Sequence, residues 1–218
     1  MDLWPWDLLT PQTESWRLQG VALSGGFTVG GNTKMTRTDG GGLWVGEQTF
    51  LLHGRERIKA ARAIEAGLDG GSGQIVAWSY EEPFAPLGLS ISSVPHSDGT
   101  TFSDGSEYLS VPYGAVTTAS AALRATSLSV TLIAGDLQAG ERFSIIHPTK
   151  GWRRYAISRV VDNVITFRPP LREAVEVGTE LNFLRVGCVC RLANPDEFIG
   201  PMGPERVMQA TARWVEAF

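Results

Sequence analysis

His53, His96, His147, Cys188, Cys190 and two carboxylate doublets, Glu81–Glu82 and Asp196–Glu197, hold the most reactive chemistry in this sequence. The histidines are far apart, and none sits in a His-x-x-x-His or Glu-x-x-His pattern that sets metal ligands on one helix face. They read as solvated or hydrogen-bonded structural groups. Neighbouring carboxylates on a strand point to opposite faces, so neither doublet forms by itself the acid–base pair that glycoside hydrolysis uses. Asp98 and Asp104 lie in two Ser-Asp-Gly turns and are the only carboxylates there before Glu107, a thin oxygen set for calcium. Cys188 and Cys190, at i and i+2, share one face of a strand, where a disulfide is strained. As metal ligands they fall short of the usual set of about four. They read as buried free thiols, which suits folding in a reducing cytosol. No Gly-x-Ser-x-Gly elbow, Walker loop or Cys-x-x-Cys occurs. The expectation is therefore no catalytic site, no cofactor and no metal.

Composition points the same way. The 218 residues carry 19 basic and 23 acidic side chains, a net charge of −4, with no basic block to hold nucleic acid or an acidic membrane. At 43% apolar the chain should fold, and no apolar run reaches the ~18 residues of a membrane span. Its 25 glycines and 7 tryptophans suit a turn-rich β protein.

The elements that must position these residues are mostly strands. Met1–Pro11 carries Asp2 and Asp7 among its tryptophans and lacks the basic-then-apolar order of a signal peptide. It reads as an arm whose Trp4 and Trp6 either tuck against the core or hook a neighbouring subunit. Ser15–Phe27 and Leu43–Leu52 read as strands, the second apolar on both faces. Gly25–Gly42 between them reads as a mobile tip or a long hairpin that orders against a partner. Residues 55–68 form the clear helix, with Ile58, Ala61, Ile64 and Leu68 at helical spacing. Pro83–Pro112 has no useful periodicity.

From Ser127 to Leu192 short alternating runs recur, ending with Cys188–Leu192, and together they read as a small antiparallel barrel or sandwich. In Arg168-Pro169-Pro170-Leu171-Arg172 the prolines stop a strand, either as a rigid corner or as a protruding contact for the next subunit. Val207–Val215 alternates Met208, Ala210, Ala212 and Trp214 with polar residues and reads as a strand returning to the first sheet. The expected organisation is a mainly β chain: an α+β platform over 1–120, a small β-barrel over 121–193, then a connector and returning strand over 194–218. Trp4, Trp6, Trp16, Trp44 and Trp214 are candidates for platform core or subunit interface. Trp152 and Tyr155 are candidate glycan contacts, should the barrel bind a host sugar.

Several stretches resemble a family of tail proteins from tailed phages and gene-transfer agents. They are Trp4, Leu8 and Pro11 with Ser15-Trp16-Arg17-Leu18, Gly70-Gly71-Ser72-Gly73, and Phe102-Ser103-Asp104-Gly105. Gly140-Glu141-Arg142-Phe143-Ser144-Ile145 and Tyr155-Ala156-Ile157 follow, then Ile165-Thr166-Phe167-Arg168-Pro169-Pro170-Leu171-Arg172. Gly178-Thr179-Glu180-Leu181 and Cys190-Arg191-Leu192 complete the set. The resemblance implies a structural virion protein of the tail tip or baseplate, similar to distal tail proteins, assembled in the host cytoplasm. Such proteins form a homohexameric ring between the tail tube and the central hub. The implied partners are thus copies of the chain itself, the tail tube protein and the hub.

Overall fold

Period-2 alternation along the chain becomes two six-stranded sheets in the computed structural model. The structure describes residues 2–5, 7–27, 29–38, 40–80, 93–94, 98–104, 108–109, 115–132 and 136–218. Its first half contains β1 (Asp2–Leu3), β2 (Thr13–Gln19), β3 (Ala22–Phe27), β4 (Thr33–Arg37), β5 (Leu43–His53), helix α1 (Arg55–Gly67) and β6 (Ile75–Trp78). Then come β7 (Ser93–Val94), β8 (Tyr108–Leu109), β9 (Ala115–Thr117), β10 (Ser127–Leu132), β11 (Arg142–His147) and β12 (Gly151–Val161). The chain ends with β13 (Val164–Arg168), β14 (Glu180–Leu181), β15 (Gly187–Leu192) and β16 (Val207–Glu216). The protein is mainly β, with one α-helix among the described residues.

The platform sheet runs β1-β6-β15-β16-β5-β2, antiparallel except where β1 meets β6. β16 pairs with β5 from Val207↔His53 to Val215↔Val45. Even-numbered residues of both strands, from Trp44 to Leu52 and from Met208 to Glu216, are buried. That alternation fixes register, because a one-residue slip would turn the whole set outward. α1 adds Ile58 and Ala61 to the same core, where Trp4 packs against Phe50, Phe198 and Trp214 at centroid distances of 4.9, 6.3 and 5.4 Å. Trp16 lies opposite Gly46, and a Cβ there would come within 2.5 Å of the indole, so only glycine admits the ring.

The second sheet runs β11-β12-β13-β10-β9-β14. A bridge between Ser144 and Asn182, with both N–H···O distances 2.8 Å, joins its two ends into a nearly closed barrel. Phe143, Tyr155, Phe167 and Phe183 fill it, with centroids 5.3 to 5.7 Å apart.

Several elements differ from expectation. Cys188–Leu192 is not a barrel strand: β15 pairs with β6 from Gly187↔Trp78 to Cys190↔Ile75 and with β16 from Cys190↔Glu216 to Leu192↔Trp214. Gly187 to Cys190 are all buried. A strand apolar on both faces needs cover on both, and the middle of the platform sheet beside β12 of the barrel supplies it. β9 belongs to the barrel sheet, so that sheet begins at Ala115 rather than near residue 121. Ser15–Phe27 is two strands, not one. Gly20, at φ 75°, turns the chain out of the platform. Beyond it β3 and β4 pair only with each other, in register from Ala22↔Arg37 to Phe27↔Thr33, and every described residue of both is exposed. Most of residues 83–112 lies outside the described residues.

Candidate functional site: a charged domain junction beneath an exposed hairpin

Glu216 ends β16 with its side chain turned inward, and the fold then requires cations to meet it. Arg172 follows the barrel strand β13 and grips this carboxylate in bidentate fashion, Nε to Oε1 at 2.9 Å and Nη2 to Oε2 at 2.7 Å. Arg153, from β12, comes within 3.5 Å of Oε1 and donates from Nη1 to the carbonyl of Ala217. The backbone N–H of Trp44 donates to Oε2 at 3.1 Å. The side chains of Arg153, Arg172 and Glu216 are 2%, 6% and 0% exposed, so this is a buried charge network between the two sheets.

Aromatic rings complete the junction. Arg154 stacks its guanidinium over Trp16 and Trp44, 4.9 and 4.8 Å from the ring centroids, while the Trp44 indole N–H donates to the Arg154 carbonyl at 2.7 Å. Phe218 lies 4.7 Å from the Arg153 guanidinium and 5.2 Å from that of Arg172. Trp152 meets Trp78 edge to face at 4.9 Å. The last three residues of the chain are therefore clasped by the barrel.

The same Arg172 reaches the base of the β3–β4 hairpin, donating to the carbonyls of Gly40 and Gly42 at 2.5 and 2.6 Å. Gly41, at φ 65°, lies so close to Pro170 that a Cβ would come 2.2 Å from its Cδ. The Arg168–Arg172 segment is thus an internal clamp between barrel and hairpin. It is not a protruding contact, because Pro169, Pro170 and Leu171 are buried and Leu171 packs in the barrel core.

Of the tryptophans read as platform core or subunit interface, those described are core, and Tyr155, read as a glycan contact, is internal. Trp4, Trp16, Trp44 and Trp214 are all at most 5% exposed and offer no ring face to a neighbour. Trp4 Nε1 donates to the Leu9 carbonyl and Trp214 Nε1 to Gln48 Oε1, so their polar handles are also used within the chain. Trp6 lies outside the described residues. Tyr155 is wholly buried and cannot stack on a sugar, and Trp152 is half-buried with its ring against Trp78. Pattern alone could not settle Tyr155, since an aromatic on a strand looks the same whichever way it faces. Arg153, Arg154 and Glu216 escaped sequence reading. The available signal was two adjacent arginines in a strand, which must send one charge to each face.

His147 Nε2 lies 2.7 Å from the Tyr155 hydroxyl, whose oxygen accepts the Arg172 N–H at 3.1 Å. Burial, helped by Arg153, pushes the His147 pKa down to about 4 against the pull of Glu173. Its ring is neutral near pH 7 and is a weak base. Glu173, on the same 340 Å³ concavity, accepts the N–H groups of Thr149 and Lys150 and caps a turn. Cys188 and Cys190 are free and buried, and burial pushes the Cys190 thiol well up, with Cys188 beside it adding to the effect. Among the described residues no group of three or more His, Cys, Asp or Glu could hold a metal ion. No helix among them is long and apolar enough to cross a membrane.

No protein-family model matches this sequence, and no curated protein matches it.

Proposed function

We propose that this chain is a structural subunit of a tail tip or baseplate, a distal-tail-like protein that forms a ring with its own copies and joins a tail tube to the central hub. The observation that carries the reading is the β3–β4 hairpin. Leu23, Phe27, Val29 and Met35 stand 64%, 83%, 111% and 60% exposed on an arm anchored only at its base. An apolar arm in water favours a partner that covers it, and its free strand edges offer main-chain pairing as well. The outer face of β5 adds Leu43, 38% exposed, beside that base. The clamp at Arg172 supports the same reading, because a rigid root lets the arm bind without first being ordered. The resemblance supplies the class of particle, the six-fold ring, the tail tube and hub as neighbours, and the virion tail as location.

Native mass spectrometry and electron microscopy of the full chain test the proposal. The expected result is a closed oligomer of uniform size that Phe27→Ser with Val29→Ser reduces to a folded monomer. A chain that stays monomeric at high concentration and is missing from purified particles overturns it.

A further inference from the structure

On α1, Arg55, Lys59 and Arg62 recur at i, i+4 and i+7 and so share one side of the helix. His53 at the end of β5 and Arg206 in the turn before β16 extend this rim around an open concavity of about 460 Å³. Ile58 and Met202 supply an apolar floor, the first buried and the second 44% exposed. Glu205 is the one carboxylate among the described lining residues, set against four permanent cations. Arg55, Lys59, Arg62 and Arg206 are exposed and make no ion pair among the described residues. The pairs formed by Arg153, Arg172 and Arg213 lie elsewhere. A local excess of positive charge on a chain of net charge −4 is an uneven distribution, and it favours an acidic partner.

The spacing of the cations decides the kind of anion. At a rise of about 1.5 Å per residue, Arg55 and Arg62 sit about 10 Å apart along the helix axis. A single compact anion cannot touch both ends of such a row. Roughly three residues of extended chain cover it. The floor of Ile58 and Met202 wants an apolar side chain between the carboxylates. A nucleic acid fits poorly: its charge would extend past the patch onto a net-negative chain, and no Trp, Tyr or Phe lines the concavity among the described residues. We propose that the concavity between α1 and the turn before β16 docks an extended segment of a partner protein in which carboxylates alternate with apolar residues.

Fluorescence anisotropy of the full chain with a labelled peptide of alternating Glu and Leu tests this. Saturable binding is expected, weakening on the order of tenfold between about 50 mM and about 500 mM salt, since the contacts are exposed and screened. Arg55→Glu with Arg62→Glu should weaken binding roughly tenfold, the sum of several modest surface pairs and new repulsions. Arg57→Glu is the control for net charge, because Arg57 is exposed on the same helix but does not line the concavity. It should leave the affinity within about twofold. Should the double charge reversal disturb folding, Arg55→Gln with Arg62→Gln removes the same charges at exposed positions and should still weaken binding. The proposal is overturned by any of four results: no saturable binding at millimolar peptide, equal binding of a Gln–Leu peptide, an equal loss in Arg57→Glu, or tighter binding of single-stranded DNA or inorganic phosphate at this site.

Discussion

The junction and the hairpin handle solvent in opposite ways, although Arg172 touches both. At the junction Arg153, Arg172 and Glu216 are withdrawn from water, and each finds its partner inside the chain. On the hairpin Leu23, Phe27, Val29 and Met35 remain in water, and β3 and β4 find only each other. Burying charge costs free energy unless the pairing is good, while exposing apolar surface forgoes the main gain of folding. Folding therefore pairs the charges of the first region and leaves the apolar surface of the second uncovered. The contrast teaches where the chain's specificity is directed: inward through charge to set two sheets against each other, and outward through apolar surface.

Glu216→Gln probes that contrast hardest. It leaves Arg172 and Arg153 buried beside a neutral amide, and removing one partner of a buried pair typically destabilises by about 3–5 kcal/mol. Urea unfolding should show that loss, and hydrogen exchange should show the C-terminal residues and the barrel loosening together. A loss within surface-mutation range would mean that aromatic packing alone holds the junction, and the contrast would fail. Next in size is the pH dependence carried by His147, which reaches the junction through Tyr155. Its pKa is near 6.5 unfolded and about 4 folded. Below pH 6.5 the unfolded chain takes up the proton more readily, so the contribution is complete above that pH and is lost as pH falls toward 4. Roughly 2–3 kcal/mol should disappear over this window. His147→Gln should remove that part of the slope in urea midpoints measured from pH 7 to pH 4, and an unchanged slope would assign it to carboxylates.

Local order was legible and long-range order was not. Helix α1 and strand β16 announce themselves because their apolar spacing, Ile58 with Ala61 and Met208 to Trp214, is contained in a dozen residues. The destination of β15 is invisible at that scale, since Cys188-Val189-Cys190 suits any strand covered on both faces. The junction is harder still. Arg172 and Glu216 are 44 residues apart, and a lone charge near a strand end normally reads as solvated. The glycines of Gly25–Gly42 marked the hairpin as a break in the sheet. Of its exposed apolar residues, Leu23 and Phe27 fall in the expected strand Ser15–Phe27 and Val29 and Met35 in the expected loop, and only the pairing of β3 with β4 alone shows that no other strand faces them.

Gly41 is where the two regions meet, so its substitution sharpens the comparison. Ala there must adopt φ near 65° and push Pro170 away. Strain of this kind costs about 1–3 kcal/mol. The expected signature is spatial: faster hydrogen exchange at Gly40–Leu43 and at the Arg172 clamp, with the barrel core of Phe143, Phe167 and Phe183 unaffected. Faster exchange throughout the barrel would show that the clamp is part of the barrel's own stability rather than a mount for the arm.

The smallest effect on the single chain belongs to the arm itself. Phe27→Ser with Val29→Ser removes side chains that bury nothing within the molecule, so the unfolding free energy should change by no more than about 0.5 kcal/mol. A loss well beyond that would mean the hairpin folds back on the platform in solution, and the two regions would no longer be opposites. If monomer stability is unchanged while assembly disappears, the free energy of those apolar side chains is realised only between molecules. Leu43→Ser on the outer face of β5 separates the arm from its surroundings. Where the neighbour covers the whole root of the hairpin, this change also weakens assembly, and where only the tip is grasped it does not.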